Sequence, residues 1–372
     1  MSLIIKEVSK KKELRKFIHF PASIHKNHSS WVPPIYMDEW SLFNPKKNKA
    51  YLYSDVIILL AYKKEKIVGR IMGLINHKYN EIHNEKHGRF AFMDCINDQE
   101  VANALISFVE GWAKEKGMLK LIGPLAFSDK DPQGFLIDGY QHMAILDTAC
   151  NHPYMNDLII NEGFEKKVDL NDYLLKIDGK VPGMYQAIYK RLMKNSNYKI
   201  IEFKKKKELK PYILPVLELM NNTYERIYGY VPLTKEEMKE LARRYIPILD
   251  PDFLKVVSLD GKVVSFVIAI PDPAKGLKKA KGYLFPFGIF HIFRAIKKSK
   301  RLVLLLGAVE KEERDKGIDA LMAFKIYESA IRRGMTCMES HLILETNTKM
   351  NAEIIRASGE SIKRFRIYQK NL

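Results

Sequence analysis

Between Leu305 and Ala320 the chain changes character within a few residues. An apolar run, Leu305-Leu306-Gly307-Ala308-Val309, passes through Glu310 to Glu313 into Arg314-Asp315-Lys316-Gly317-Ile318-Asp319-Ala320. This reads as a strand, a short basic loop and the start of a helix. The first turn of such a helix offers unpaired backbone N–H groups at the positive end of the dipole, a natural place for a phosphate or pyrophosphate. Arg314 and Lys316 add charge there, and Gly317 lets the backbone approach a ligand closely. Asp319 stands against this, because a carboxylate repels an anion. The plainer alternative is a basic helix start with a chance glycine.

A second candidate lies downstream. Read as one strand, Thr336 to Glu345 puts Cys337, Glu339, His341, Ile343 and Glu345 on one face. Three ionisable side chains on one strand face suggest that it lines a cleft. Glu339, His341 and Glu345 are therefore candidates to accept or relay a proton. The alternatives are that Glu345 and Asn347 cap the next helix and that His341 is a satisfied, half-buried residue. Tyr368 and Tyr327 are reserve proton donors.

The elements that position these residues come in two copies. Val56 to Tyr62 and Ile67 to Ile71 flank a Lys/Glu turn; Phe253 to Leu259 and Lys262 to Ile270 flank Asp260-Gly261, a strong hairpin signal. In the first copy an amphipathic helix carries Val101, Leu105, Phe108, Val109 and Trp112, with Asn97 and Glu100 as its capping box, and ends at Lys116-Gly117. In the second, a helix from about Arg314 carries Leu321, Met322, Ile326 and Ala330 and ends at Arg333-Gly334. Met155-Asn156 and Met350-Asn351 then open short helices that lead into last strands. Each half thus reads strand, helices, hairpin, strand, helix, strand, helix, strand. This is an α/β chain of two tandem domains, residues 1–178 and 179–372, each a mixed sheet flanked by helices. Insertions differ: Gly123 to Asn151 in the first half and Pro271 to Lys300 in the second, and inserted loops commonly build substrate sites.

Composition narrows the function classes. Hydrophobic residues make up 47% and charged residues 28% of 372, which suits a core-forming chain. Lys and Arg number 62 against 44 Asp and Glu, so the net charge of +18 calls for an anionic partner: a phosphate-bearing ligand, an anionic membrane or nucleic acid. No apolar run approaches the ~20 residues of a membrane span, and the first dozen residues have no signal-peptide pattern. Cys95, Cys150 and Cys337 are far apart and are expected as free thiols in a reducing, cytoplasmic compartment, without metal or redox spacing.

The Arg314 to Asp319 stretch resembles the acyl-CoA-binding motif of the GNAT acyltransferase superfamily, Arg/Gln-x-x-Gly-x-Gly/Ala, with Arg314 and Gly317 matching and Asp319 departing from it. The first half has Asn97, Asp98 and Gln99 at the corresponding place, so it is expected to have lost CoA binding. A wider set of segments is similar to a tandem-GNAT family that includes bacterial ceramide synthase-like proteins: Trp31-Val32-Pro33-Pro34, Asn44-Pro45-Lys46-Lys47-Asn48, Gly69-Arg70-Ile71, Asn76 with Tyr79-Asn80, Leu284-Phe285-Pro286-Phe287-Gly288 and Lys363-Arg364-Phe365-Arg366-Ile367-Tyr368. The resemblance implies direct transfer of an acyl group from acetyl-CoA or a longer acyl-CoA to a primary amine, a sphingoid base in the ceramide-forming branch, with no metal. It implies Ala308 and Val309 backbone groups at the thioester carbonyl, and Arg314, Lys316, Gly317, Asp319, Asn347 and Asn351 around the acyl donor. Glu339, His341, Glu345 and Tyr368 are the candidates for catalysis.

Two rivals remain at this level. A tandem-GNAT transferase using aminoacyl-tRNA would suit the charge, although no long helical arm is present. A non-catalytic GNAT-fold protein binding membrane or nucleic acid would suit Asp319, although no nucleic-acid motif is found and no specific nucleic acid is expected. Residues 275–301 carry Ile289, Phe290, Ile292, Phe293 and Ile296 at helical spacing between lysine-rich flanks. That pattern suits peripheral contact with the inner face of the membrane, or an ordinary helix packing on its own domain.

Overall fold

The computed structural model describes residues 2–195, 197–225 and 227–372. In the first half the strands are β1 (Leu3–Glu7), β2 (Ser54–Lys63), β3 (Lys66–Asn76), β4 (His87–Cys95), β5 (Lys120–Gly123), β6 (Phe135–Asp138) and β7 (Glu165–Lys176). In the second they are β8 (Tyr198–Glu202), β9 (Leu254–Leu259), β10 (Lys262–Pro271), β11 (Arg301–Val309), β12 (Cys337–Ser340), β13 (Ile343–Leu344) and β14 (Glu360–Asn371). The two expected hairpins are β2–β3 and β9–β10. Their turn residues Lys64, Glu65, Asp260 and Gly261 all have positive φ, the geometry that a two-residue turn needs to match strand twist.

All strands join one mixed sheet in the order β1-β2-β3-β4-β5-β14-β7-β12-β11-β10-β9-β8, with β6 on β14 and β13 on β7. The halves exchange their last strands. β14, the end of the chain, pairs with β5 of the first half, and β7 pairs with β12 of the second. Two matching hydrogen bonds mark the exchange: Tyr173 on β7 donates to Asn351 Oδ1 at 2.7 Å, and Tyr368 on β14 donates to Asn156 Oδ1 at 2.8 Å.

Each half has one long helix on its sheet. Gln99–Glu115 buries Val101, Leu105 and Val109 with Leu59, Ile71 and Phe90 of the strands. Ile318–Arg332 buries Leu321 and Met322 against Val257 and Val264. Full burial of each such side chain contributes ~1.5–3 kcal/mol. The helix starts differ from expectation. Asp98, not Asn97, caps the first, accepting from Glu100 N at 3.0 Å. The second begins at Ile318 rather than near Arg314, because Asp315 and Gly317 are left-handed (φ 63° and 88°) and such residues cannot continue a right-handed helix. The strand read from Thr336 to Glu345 is broken: β12 stops at Ser340, and β13 pairs only with β7.

At the seam between exchanged strands lies a buried charge network. Lys363 Nζ on β14 meets Asp172 of β7 at 2.7 Å and Glu339 of β12 at 2.6 Å, with all three side chains at most 1% exposed. Arg301 binds the other oxygen of Glu339 and also Asp272, each at 2.6 Å. Burial pushes the Asp172 carboxyl up to about 8, which matches three carboxyls facing two cations. Removing one partner of such a network strands the rest in low dielectric. Lys363→Met should cost about 3–5 kcal/mol, read as a lower urea midpoint.

Candidate functional site

Parallel strands hold the centre of each half and then part. β4 and β5 pair only over His87–Arg89 with Lys120–Ile122, and β11 and β12 only over Arg301–Leu304 with Cys337–Ser340. A bulge sits just beyond each pairing. In β4 it includes Phe92, a non-glycine with φ 49°; in β11 it falls at Leu305. Bulges bend a strand and open the ladder beside it, so each half presents a wedge between its diverging strands.

In the second wedge, His341 follows β12 directly. Its backbone N–H donates to Leu304 O at 3.0 Å. Its half-buried ring is held below the ordinary imidazole value chiefly by desolvation, against the opposing pull of Asp147 and then of the Leu146 backbone beside it. A neutral imidazole at the mouth of a wedge is equipped to accept a proton. On the facing strand, Glu310 N donates to Val264 O, and the alternation of the ladder turns Ala308 the same way, with its carbonyl taken by Ser265 Oγ. Ala308 is therefore spent within the sheet, which corrects the expectation for it. Gly307 and Val309 face the wedge: Tyr224 OH donates to Gly307 O at 2.9 Å, and Arg314 Nε donates to Val309 O at 3.3 Å.

The rest of the expected set divides. Arg314 is exposed beside the wedge, and Lys316 pairs with Glu313 at 3.1 Å. Gly317 caps the helix in a left-handed conformation; a Cβ there would sit 2.9 Å from Ile188, so its bareness also admits the helix Gly183–Asn195. Asp319 takes Ala320 N and faces Glu353, whose carboxyl is raised to about 7 by burial and then by Asp319. A protonated Glu353 leaves less negative charge beside the helix start.

Five other expected residues, and the reserve Tyr327, have structural partners. Glu339 is the fully buried ion-pair partner described above and has no free oxygen to act as a base. Glu345 clips β7 through Asp169 N at 3.0 Å and Lys166 at 2.7 Å. Asn347 caps the helix Thr348–Arg356, and Asn351 ties that helix to Tyr173 and Asn171. Tyr368 is buried in the first half on Asn156, and Tyr327 is buried beside Tyr185.

A pocket of about 180 Å³ opens over the first wedge, under the insertion Gly123 to Asn151. Trp31, Val32, Pro33, Pro34 and Arg70 line it, together with the carboxylates Asp38, Glu39, Asp94, Asp131 and Asp147. Burial raises Glu39 to about 7 and Asp131 to about 6. Arg244, from the second half, bridges Asp38 and Asp147 at 3.3 Å each, and Tyr245 OH donates to Asp147. Leu146 and Asp147 thus border both this pocket and His341. Sequence reading missed the five carboxylates, which are scattered along the chain, although it marked the insertion that carries two of them.

With the sheet order and the two bulged, parting strand pairs, the molecule has the fold of tandem GNAT proteins. Solved structures share it: a tandem GNAT protein from the clavulanic acid biosynthesis pathway (TM-score 0.57, 11% identity, 100% of this chain and 98% of that one) and a GCN5-related N-acetyltransferase from Sphaerobacter thermophilus (0.53, 10%, 99% and 95%). Along its sequence the chain is similar to Protein YghO of Escherichia coli strain K12, 26% identical over 381 residues covering 99% of this chain and 95% of that protein. It is also similar to the bacterial ceramide synthase of Caulobacter vibrioides, 24% identical over 368 residues, 97% and 95%. No family model matches. The resemblance to tandem-GNAT, ceramide synthase-like proteins is thereby borne out along the whole chain.

Glu39 provides a pH test of the pocket. Its raised pKa means the folded protein holds this proton more tightly than the unfolded chain does, so ionisation costs stability as pH rises from about 4.5 to about 7. Glu39→Gln should therefore gain stability relative to wild type across that window and stay level above it, read as the difference in unfolding midpoint against pH.

Proposed function

We propose that the protein is an N-acyltransferase that moves an acyl group from a CoA thioester to a primary amine. The observation that carries this reading is the link between the two wedges: a desolvated His341 at one, beside Leu146 and Asp147, which line the carboxylate pocket at the other. The acyl donor lies in the second wedge, its pyrophosphate toward Arg314, Lys316 and the N-terminus of Ile318–Arg332. The second half, residues 179–372, thus carries the donor, while residues 1–178 supply the acceptor pocket.

An amine enters as an ammonium, and carboxylates such as Glu39 and Asp131 are suited to receive it and take up a proton near neutral pH. His341 removes the proton released as the amine attacks and returns it to the CoA thiolate as the C–S bond breaks. The Val309 N–H, on the open edge of β11, is the donor offered to the developing oxyanion. No covalent enzyme intermediate is needed.

Similarity to a bacterial ceramide synthase favours a long-chain amine such as a sphingoid base. The surface agrees with a lipid acceptor. On the helix Gly288–Lys298 only Ile292 of the large apolar residues is buried; Phe290 is 65% exposed and Phe293 48%, while Phe285 and Phe287 before it exceed 70%. Lysines surround this apolar face, as expected for contact with an anionic membrane surface. Among the described residues no helix is long and apolar enough to cross a membrane.

Mixing the protein with palmitoyl-CoA and sphinganine should release free CoA thiol. No release from acetyl-CoA or palmitoyl-CoA with any amine tested would sink this reading. His341→Ala should lower kcat by about 10²–10⁴, and the rising limb of the wild-type pH profile should fall below the ordinary imidazole value of 6.5. Arg314→Ala with Lys316→Ala should raise KM for acyl-CoA more than it changes kcat. Phe287→Ser with Phe290→Ser should reduce co-sedimentation with phosphatidylglycerol vesicles while leaving turnover of a short soluble amine unchanged.

A further inference from the structure

Beside the acceptor pocket, three histidines converge. The nitrogens that His25, His28 and His152 offer all lie within 4.8 Å of one another. His25 Nδ1 and His28 Nδ1 are 3.0 Å apart; Cys150 Sγ stands outside this mutual set, 3.9 Å from His28 Nδ1. The rings stack, with His152 against His28 at 4.6 Å and against His25 at 5.0 Å between centroids, and Trp31 covers His25.

The outer nitrogens fix the tautomers. His25 Nε2 faces Asp94 at 3.3 Å, and Asp94 is held by Arg70 at 2.8 Å, so Nε2 carries the hydrogen and Nδ1 is bare. His152 Nε2 faces the Ile24 carbonyl at 3.2 Å, which can only accept, so its Nδ1 is bare as well. His28 can donate to the bare nitrogen of His25 at 3.0 Å, and a cation would engage a lone pair on each of the three rings at once. A carboxylate behind a ligating histidine is the usual orienting partner at metal sites. Tetrahedral zinc with Zn–N of ~2.0–2.1 Å sets its nitrogens about 3.3 Å apart; His25 and His28 stand at 3.0 Å, and all three histidines can close on one ion from within 4.8 Å.

We propose that His25, His28 and His152, with Cys150 as fourth ligand, form a binding site for a zinc-like divalent transition metal. Four protein ligands leave no open position, so the ion is structural. It joins the segment after the helix Pro21–Ile24 to the end of the Gly123–Asn151 insertion, and so fixes the wall of the pocket that carries Asp131 and Asp147. The sequence signals were present as His25-x-x-His28 and Cys150-x-His152, split between distant segments. The expectation of a chain without metal spacing weighed only the cysteines.

The test uses the full chain and does not depend on its activity. Protein purified without chelator should hold about one zinc per chain by elemental analysis. Chelator-stripped protein should take up one cobalt(II), giving tetrahedral d–d bands and a thiolate-to-cobalt charge-transfer band. Cys150→Ser should lose the charge-transfer band. His28→Ala with His152→Ala should lose cobalt uptake, and its melting temperature should equal that of stripped wild type and no longer rise with zinc. No zinc retention and no cobalt spectrum, or uptake unchanged in the double histidine variant, would overturn the proposal. Tetrahedral bands without charge transfer in wild type would overturn the part assigned to Cys150.

Discussion

The ammonium of Lys363 cannot lie in the middle of a sheet unless carboxylates meet it there, and those carboxylates come from two separate parts of the chain. Asp172 is on the last strand of the first half, and Glu339 is on a strand of the second. Lys363 itself arrives on the final strand, which belongs by sequence to the second half and by pairing to the first sheet. The network is therefore satisfied only when both halves are built and their last strands have crossed. Specificity for that one arrangement comes from charge, since apolar strands alone could pair with their own half. Arg301 extends the constraint to β11, the strand that opens the second wedge, so the wedge is anchored at its closed end by the same ions.

Strand exchange also explains how one half can furnish a site for the other. The insertion Gly123 to Asn151 leaves the first half after β5, adds β6 to the exchanged strand β14, and returns past Leu146 and Asp147. It can reach His341 because β14 and β7 bring the two wedges into one continuous sheet. Arg244 and Tyr245 of the second half close on Asp147 from the opposite side. The carboxylate pocket is thus built from both halves, although most of its lining comes from the first.

Much of this architecture is legible as repetition. The paired hairpins, the glycines after both long helices and the Met-Asn pairs before the last strands all mark real, equivalent elements, and Asn156 and Asn351 make the same hydrogen bond to a strand tyrosine. The exchange itself is not legible, because β7 and β14 have the same pattern and either would suit either sheet. The same ambiguity misled the reading of Glu339, Glu345 and Tyr368. Period-two alternation tells which residues share a face, but not whether that face meets a cleft or another strand's lysine. His341 differs from its neighbours only because β12 ends at Ser340, and nothing in the alternation reveals that break.

The excess of positive charge can now be divided by environment. At the seam and in the pocket, carboxylates are numerous, and burial drives Asp172, Glu39 and Asp131 toward their protonated forms. The interior is thus acidic and close to neutral in charge, while unpaired lysines gather at the surface. Around the helix Gly288–Lys298 they flank exposed aromatic side chains. Under the proposed reading, the basic exterior would face anionic phosphate and the pocket carboxylates would receive an ammonium. A long-chain amine at a membrane surface would then meet those two demands in sequence, the surface first and the pocket second. That division follows from where the charges are buried, which the total of +18 alone does not express.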